Sequence, residues 1–144
     1  MSVQPSLYLA ASYQRKWEIH GYRRTLQKMG FRITSKWTLE EYGPNIPLED
    51  VESEQLAKLA VQDLDEIERS DALVVFTQER LIRPGHQVEL GYGIRIAHAV
   101  PILFRVFICG PKNTIFCYLP GVTCVEDFDH LKTVLRTWSK SWNS

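Results

Sequence analysis

Neither sign of charge is in excess in this 144-residue sequence, because Lys plus Arg and Asp plus Glu both number 17. Without a global positive field, charge alone holds neither a long nucleic acid nor an anionic membrane, so polymeric DNA or RNA is not an expected partner. No apolar run approaches the ~18 residues of a membrane span, and residues 1–12 lack both the basic leader and the longer apolar run of a secretory signal. A membrane partner is therefore not expected. There is no CxxC pair. The three cysteines, Cys109, Cys117 and Cys124, are odd in number and lie in or beside apolar runs, where a reduced, buried thiol is ordinary, which implies a reducing, cytoplasmic setting. The four histidines, His20, His86, His98 and His130, show no ligand spacing, so no metal is expected. The GxGxxG, GxxxxGK[ST] and GxSxG patterns are absent, which argues against dinucleotide oxidoreduction, P-loop hydrolysis and a serine nucleophile elbow. No cofactor is expected.

What is present is 44% hydrophobic sequence, enough to bury a core in one domain spanning 1–144. Leu7–Ala11 is apolar on both faces, the pattern of a buried parallel strand. Ile19, Tyr22, Leu26 and Met29 recur at helical spacing before a Gly30 stop. Phe31–Trp37 alternates and predicts a second strand, and Gly43–Pro47 breaks the chain. Ser53 is the expected N-cap of a second helix, with Leu56, Ala60, Asp63 and Ile67 on its inner stripe. A third strand at Ala72–Phe76, a third helix at Gln87–Ala99, a strand at Val100–Ile108, a weaker one at Val122–Val125 and a helix from about Asp127 to Trp138 complete the order. It reads βαβαβαββα, or βαβαβαβαβα if a helical turn occupies Asn113–Leu119. Such alternation predicts an α/β, doubly wound, flavodoxin-like or Rossmann-like parallel sheet of about five strands with helices on both faces.

Charge is uneven along this order. Tyr13–Lys36 holds seven basic residues against Glu18, and Glu40–Asp71 holds eleven acids against Lys58 and Arg69. Two solvated helix faces explain such runs; alternatively Arg15 and Lys16, just past the first strand, meet a phosphate. Doubly wound sheets bind ligands beyond the carboxyl ends of their strands, which singles out Ser12–Lys16 and Pro84–Glu89. Glu89 is expected in the first turn of the third helix, where the dipole favours a carboxylate, on the stripe it shares with Gly93 and Ile96. It is either a helix-stabilising acid or a nucleophile. Asp63 replaces an apolar residue on an inner stripe and needs a partner or a chemical role. Tyr8 on the first strand either packs only or offers its hydroxyl to a neighbouring carboxylate. Asp71 reads as a strand-entry residue.

Leu7–Ser12 (LYLAAS), Ala60–Val75 (AVQDLDEIERSDALVV) and Gly85–Gly93 (GHQVELGYG) together resemble the nucleoside 2-deoxyribosyltransferases and the related 5'-deoxynucleotide N-glycosidases. Gly110–Pro120 (GPKNTIFCYLP) is similar to a compact variant of that family met in bacteria and phages. The resemblance implies Glu89 as nucleophile, Tyr8 as the group that orients it, and Asp63 as the contact that helps protonate the leaving base. A carboxylate beneath C1' captures the sugar covalently, and a second base or water then attacks. The resemblance further implies Tyr13 as an aromatic wall of the base pocket, and Ser12 with Arg15 or Lys16 as phosphate contacts. Gly85 opens the nucleophile segment. Trp37 and His86 either line the pocket or serve the core and the loop. Arg83 stands where well-studied transferases often place an Asp. Relatives complete the pocket from a second subunit, which makes a homodimer or higher homo-oligomer expected, with Asn113 as the candidate borrowed residue; alternatively its segment covers the sheet edge of its own chain. Base exchange on 2'-deoxynucleosides is the leading expectation; hydrolysis of a nucleoside 5'-monophosphate and a silent nucleotide-binding module are the alternatives.

Overall fold

The computed structural model describes residues 4–39, 48–79 and 84–142; the expected break at 43–47 and Arg83 lie outside the described residues. Five parallel strands, β1 (Ser6–Ala10), β2 (Arg32–Ile33), β3 (Ala72–Phe76), β4 (Arg105–Cys109) and β5 (Val122–Val125), pair in the order β2-β1-β3-β4-β5. Among the described residues four α-helices connect or follow them: α1 (Lys16–Lys28), α2 (Ser53–Glu68), α3 (Gly85–Ala99) and α4 (Phe128–Trp142). The strand order reverses between β1 and β3, the flavodoxin-like switch point where such sheets open a crevice. α1 and α4 meet on one face, where the Tyr22 and Phe128 rings stack at 4.0 Å. α2 and α3 meet on the other, tied by the Tyr92 hydroxyl donating to Glu68.

β1 and β3 are buried along their whole length because both sheet faces are covered, and each fully buried Leu, Val or Phe contributes ~1.5–3 kcal/mol. The Asp71 carboxylate accepts from the Ser6 amide at 2.8 Å and from its hydroxyl at 3.1 Å, a polar bolt at the amino end of the β1–β3 pair, as expected of a strand-entry residue. The turn within Asn113–Leu119 is present at Ile115–Tyr118. No helix among the described residues is long and apolar enough to cross a membrane.

Several expected boundaries move. The second strand does not reach Trp37: backbone pairing ends at Thr34, and side chains then continue the edge. The Leu9 amide donates to the Ser35 hydroxyl at 3.1 Å and its carbonyl accepts from the Trp37 indole N–H at 2.6 Å. The alternation still assigned the faces correctly, since Phe31, Ser35 and Trp37 are buried while Arg32 and Lys36 are exposed. Ser53 is the first helical residue and Glu52 the cap, with no side-chain capping bond. The fourth strand starts only at Arg105, because Pro101 follows the end of α3 and the Leu103 and Phe104 amides turn back to the Val100 carbonyl. α4 runs on to Trp142.

α3 starts two residues early, at Gly85, so Glu89 is in the second turn rather than the first. The macrodipole acts mainly within the first turn, and Glu89 therefore depends on side-chain partners for its environment. Nor are the charged runs simply solvated faces. Arg23 from the basic run and Glu66 from the acidic run are both buried.

Candidate active site

The site grows from a close approach of α3 to the sheet. A Cβ added to Gly93 would meet Leu73 Cδ2 at 2.4 Å, so glycine lets the helix descend onto β3 without displacing the end of the Leu73 side chain. Leu73 pairs with Tyr8 in the β1–β3 register. One helical turn before Gly93, Glu89 therefore comes over β1, and the Tyr8 hydroxyl donates to its Oε2. Tyr8 is 0% exposed. Burial first, then the negative charges of Glu89 and Asp63, the hydrogen bond to Glu89 and the charge of Glu66 push its pKa far above the ordinary tyrosine range. The phenol thus stays protonated as a donor, and a hydrogen bond to a charged group is stronger than one between neutral partners.

Glu89 and Asp63 share a cavity of about 580 Å³ beyond the carboxyl ends of β1 and β3, within the ~300–1,000 Å³ usual for small-molecule sites. α2 contributes Leu56, Leu59, Ala60 and Leu64 beside Asp63; the segment after β1 contributes Ala11 and Tyr13; the entry to α3 contributes Pro84, Gly85, His86 and Val88. Leu56 is half-buried and Ala60 exposed, because the stripe expected to pack inward lines this open space and only its end, Ile67, enters the core. Trp37 closes one wall, with its ring centroid 5.7 Å from that of Tyr13. It serves the core and the cavity together.

The segment that carries Trp37 is gripped at one peptide group. The Arg23 guanidinium donates to the Ser35 carbonyl, and Glu66 Oε1 accepts from the Lys36 amide at 3.2 Å. Burial raises the Glu66 pKa, opposed by the Lys36 amide, the charge of Lys36 and a bond from Gln62. Burial likewise lowers that of Arg23, offset by the charge of Glu66. Both residues were missed from sequence, although a signal existed: Arg23 lies four residues after Ile19 and three before Leu26 on an apolar stripe, and Glu66 adjoins Ile67.

Of the residues expected at the site, the structure brings together Tyr8, Asp63, Glu89, Tyr13, Trp37, Gly85 and His86. Ser12, Arg15, Lys16 and Asn113 do not line the cavity. Ser12 is buried and its carbonyl accepts from the Arg15 amide at 2.9 Å. Arg15 is engaged by both oxygens of Glu18, at 2.9 and 2.7 Å, and by the Thr77 carbonyl at 3.0 Å. The Lys16 ammonium is folded over the Tyr13 and Trp17 rings, 5.4 and 5.3 Å from their centroids. Asn113 donates to the Gln78 carbonyl at 2.9 Å, in a loop also fastened by Thr77 to the Pro111 carbonyl. Cys109 and Cys117 are buried and Cys124 is partly exposed, all as free thiols, and burial pushes Cys109 up to about 11. Among the described residues no group of three or more His, Cys, Asp or Glu side chains is placed to hold a metal ion.

Comparison with solved structures bears on the fold. The CMP N-glycosidase BcmB of Clostridium botulinum superposes with a TM-score of 0.58 at 16% identity, over 92% of this chain and 98% of that one. That likeness establishes the fold. No family model and no curated protein matches the sequence.

Proposed function

We propose that the protein cleaves the N-glycosidic bond of a nucleoside or nucleotide, with Glu89 as the nucleophile. The observation that carries this reading is the Tyr8–Glu89 hydrogen bond on the wall of a mostly apolar cavity that also holds Asp63. Glu89 attacks C1' from the face opposite the base; the C1'–N bond breaks, its electron pair leaves with the base, and Asp63 supplies a proton to the departing nitrogen. Water then attacks C1' of the glycosyl ester, releasing the Glu89 carboxylate, and its proton returns to Asp63. The apolar walls of Trp37, Leu56 and Leu59 suit a flat heterocycle, and Tyr13 offers it a second aromatic surface.

Hydrolysis is favoured over base exchange by the likeness to a CMP N-glycosidase along nearly the whole of that chain. Transfer to a second base shares the first half of this mechanism and is the second reading, supported by the sequence resemblance to deoxyribosyltransferases. The deciding experiment incubates the protein with ribo- and 2'-deoxyribonucleosides and their 5'-monophosphates, with and without a free acceptor base, and follows base and sugar by chromatography. Base release that vanishes in Glu89→Gln supports the reading. Unchanged turnover in that variant rules it out, and product formation only with an acceptor base selects transfer.

A further inference from the structure

Within the cavity one polar side chain is unaccounted for by that chemistry. His86 is 2% exposed, and among the described residues neither its Nδ1 nor its Nε2 has a hydrogen-bond partner. Buried polar atoms are nearly always partnered, so an imidazole with both nitrogens unmatched calls for a group that the described residues do not supply. Its place narrows what that group is. His86 lies in the first turn of α3, forms part of the cavity wall, and precedes Glu89 by three residues, so the two side chains share one helix face with Cβ atoms ~5–6 Å apart.

In a nucleoside of ordinary β configuration the base projects from one face of the sugar ring and the 2'-hydroxyl from the other. Glu89 must approach from the face opposite the base. A side chain one turn away on the same helix face is therefore directed to the substituents of that same sugar face, and the hydroxyl next to C1' is the 2'-OH. From this we infer that His86 is a specificity residue that hydrogen-bonds the ribose 2'-hydroxyl, making the preferred substrate a ribonucleoside or ribonucleotide rather than a 2'-deoxy compound. The inference rests on the glycosidase reading above. Burial, and next the charge of Arg15, hold the imidazole below its ordinary pKa. A neutral ring has one donor and one acceptor, which matches a hydroxyl and not a phosphate dianion, whose oxygens only accept. Hydrogen bonds to the hydroxyl beside the anomeric carbon strengthen as positive charge develops there, so the contact assists the reaction as well as binding.

The test compares paired substrates, because 2'-deoxyribosides are intrinsically easier to cleave and a single rate is uninformative. In Glu89→Gln protein, which leaves the substrate intact, calorimetry with the four ribonucleoside 5'-monophosphates and their 2'-deoxy counterparts is expected to show a ribose preference of roughly 10- to 100-fold for the base that fits. Adding His86→Phe, which fills the wall without nitrogens, is expected to remove that preference, and His86→Asn to restore part of it. The ¹⁵N resonances of the His86 ring are expected to shift with the ribo ligand and not with the deoxy one. Thermal melting of each variant separates lost contacts from lost fold, and His86→Asn serves if His86→Phe melts early.

Equal losses for ribo and deoxy ligands, or no ribose preference in unsubstituted His86 protein, overturn the assignment of His86. If base release by the native protein still depends on Glu89, that result leaves the glycosidase reading standing. A ribose preference that depends on His86 in a protein that releases no base has the reverse meaning. Absence of binding by every nucleotide overturns both.

Discussion

Glu89 and Glu66 are two carboxylates on the same side of the sheet, both close enough to Tyr8 for their charge to act on its hydroxyl, yet their surroundings differ in kind. Glu89 is met by a neutral phenol and borders an open cavity. Glu66 is met by a backbone amide and by Gln62, with the Arg23 charge nearby, in the closed space behind Trp37. The difference teaches that an acid against the sheet acquires a chemical role from what it leaves accessible: the half-buried Glu89 can meet an incoming carbon, whereas the buried Glu66 is committed to holding a peptide in place.

The sharpest way to break the comparison is Glu89→Gln, expected to lower the rate of base release by roughly 10⁴-fold or more, in the range seen when a nucleophile is lost elsewhere, with little change in melting temperature. A larger loss of stability than of activity would reverse the roles assigned to the two acids. Next is Tyr8→Phe. It removes one hydrogen bond to a charged group, a contribution of ~1.5–3 kcal/mol, so kcat is expected to fall ~10- to 100-fold while circular dichroism is unchanged. Tyr8 also predicts alkaline sensitivity. Its folded-state pKa is raised above the ordinary value of 10, so its contribution to stability is complete below about pH 10 and is lost as pH rises further. Tyr8→Phe should flatten that loss in denaturant titrations above pH 10.

Glu66→Ala strands the Lys36 amide and loosens the Trp37 wall, with an expected cost of ~1–3 kcal/mol in urea unfolding and a rise in KM larger than the fall in kcat. The conservative Glu66→Gln sharpens the same point through pH. Burial raises the Glu66 pKa above 4.5, so its contribution to stability is full below about pH 4.5 and is lost as pH rises through the raised folded-state value. Relative to Glu66→Gln, the native protein should therefore lose stability as pH rises above about 4.5; a parallel pH profile for the two proteins would place the carboxylate in a solvated setting. The smallest effect is expected from Asn113→Ala. It deletes one partly buried hydrogen bond to Gln78, at ~0.5–1.5 kcal/mol, and with Asn113 held by its own chain, base release should persist. Abolished release without unfolding would instead support a residue lent across a dimer interface.

Much of this site was readable before any coordinates. Tyr8, Asp63 and Glu89 each violate a local expectation, as a phenol in an apolar strand or an acid on an inner helix stripe, and each is at the cavity or bonded to a residue that is. Arg23 and Glu66 violate the same rule but lie inside long runs of like charge, where a buried member looks like its solvated neighbours. Arg15 and Lys16 show the opposite error. Their position after β1 promised a ligand contact, but Glu18, the Thr77 carbonyl and the aromatic rings of Tyr13 and Trp17 engage them within the chain.

By itself the sequence determined the α/β alternation, the bounds of β3 and β5, the sided pattern of residues 31–37 and the choice of Asp63 and Glu89 as acids worth attention, because hydrophobic period and local turn chemistry act over a few neighbouring residues. Only the tertiary structure decided where β2 ends, since Ser35 and Trp37 end the ladder by bonding Leu9, 26 and 28 residues away along the chain. It alone decided which acid borders space and which grips backbone, and that His86 has no hydrogen-bond partner among the described residues. These outcomes depend on how α2 and α3 pack on the sheet, including the close approach of α3 at Gly93 to the Leu73 side chain, and no periodicity along the chain encodes that packing.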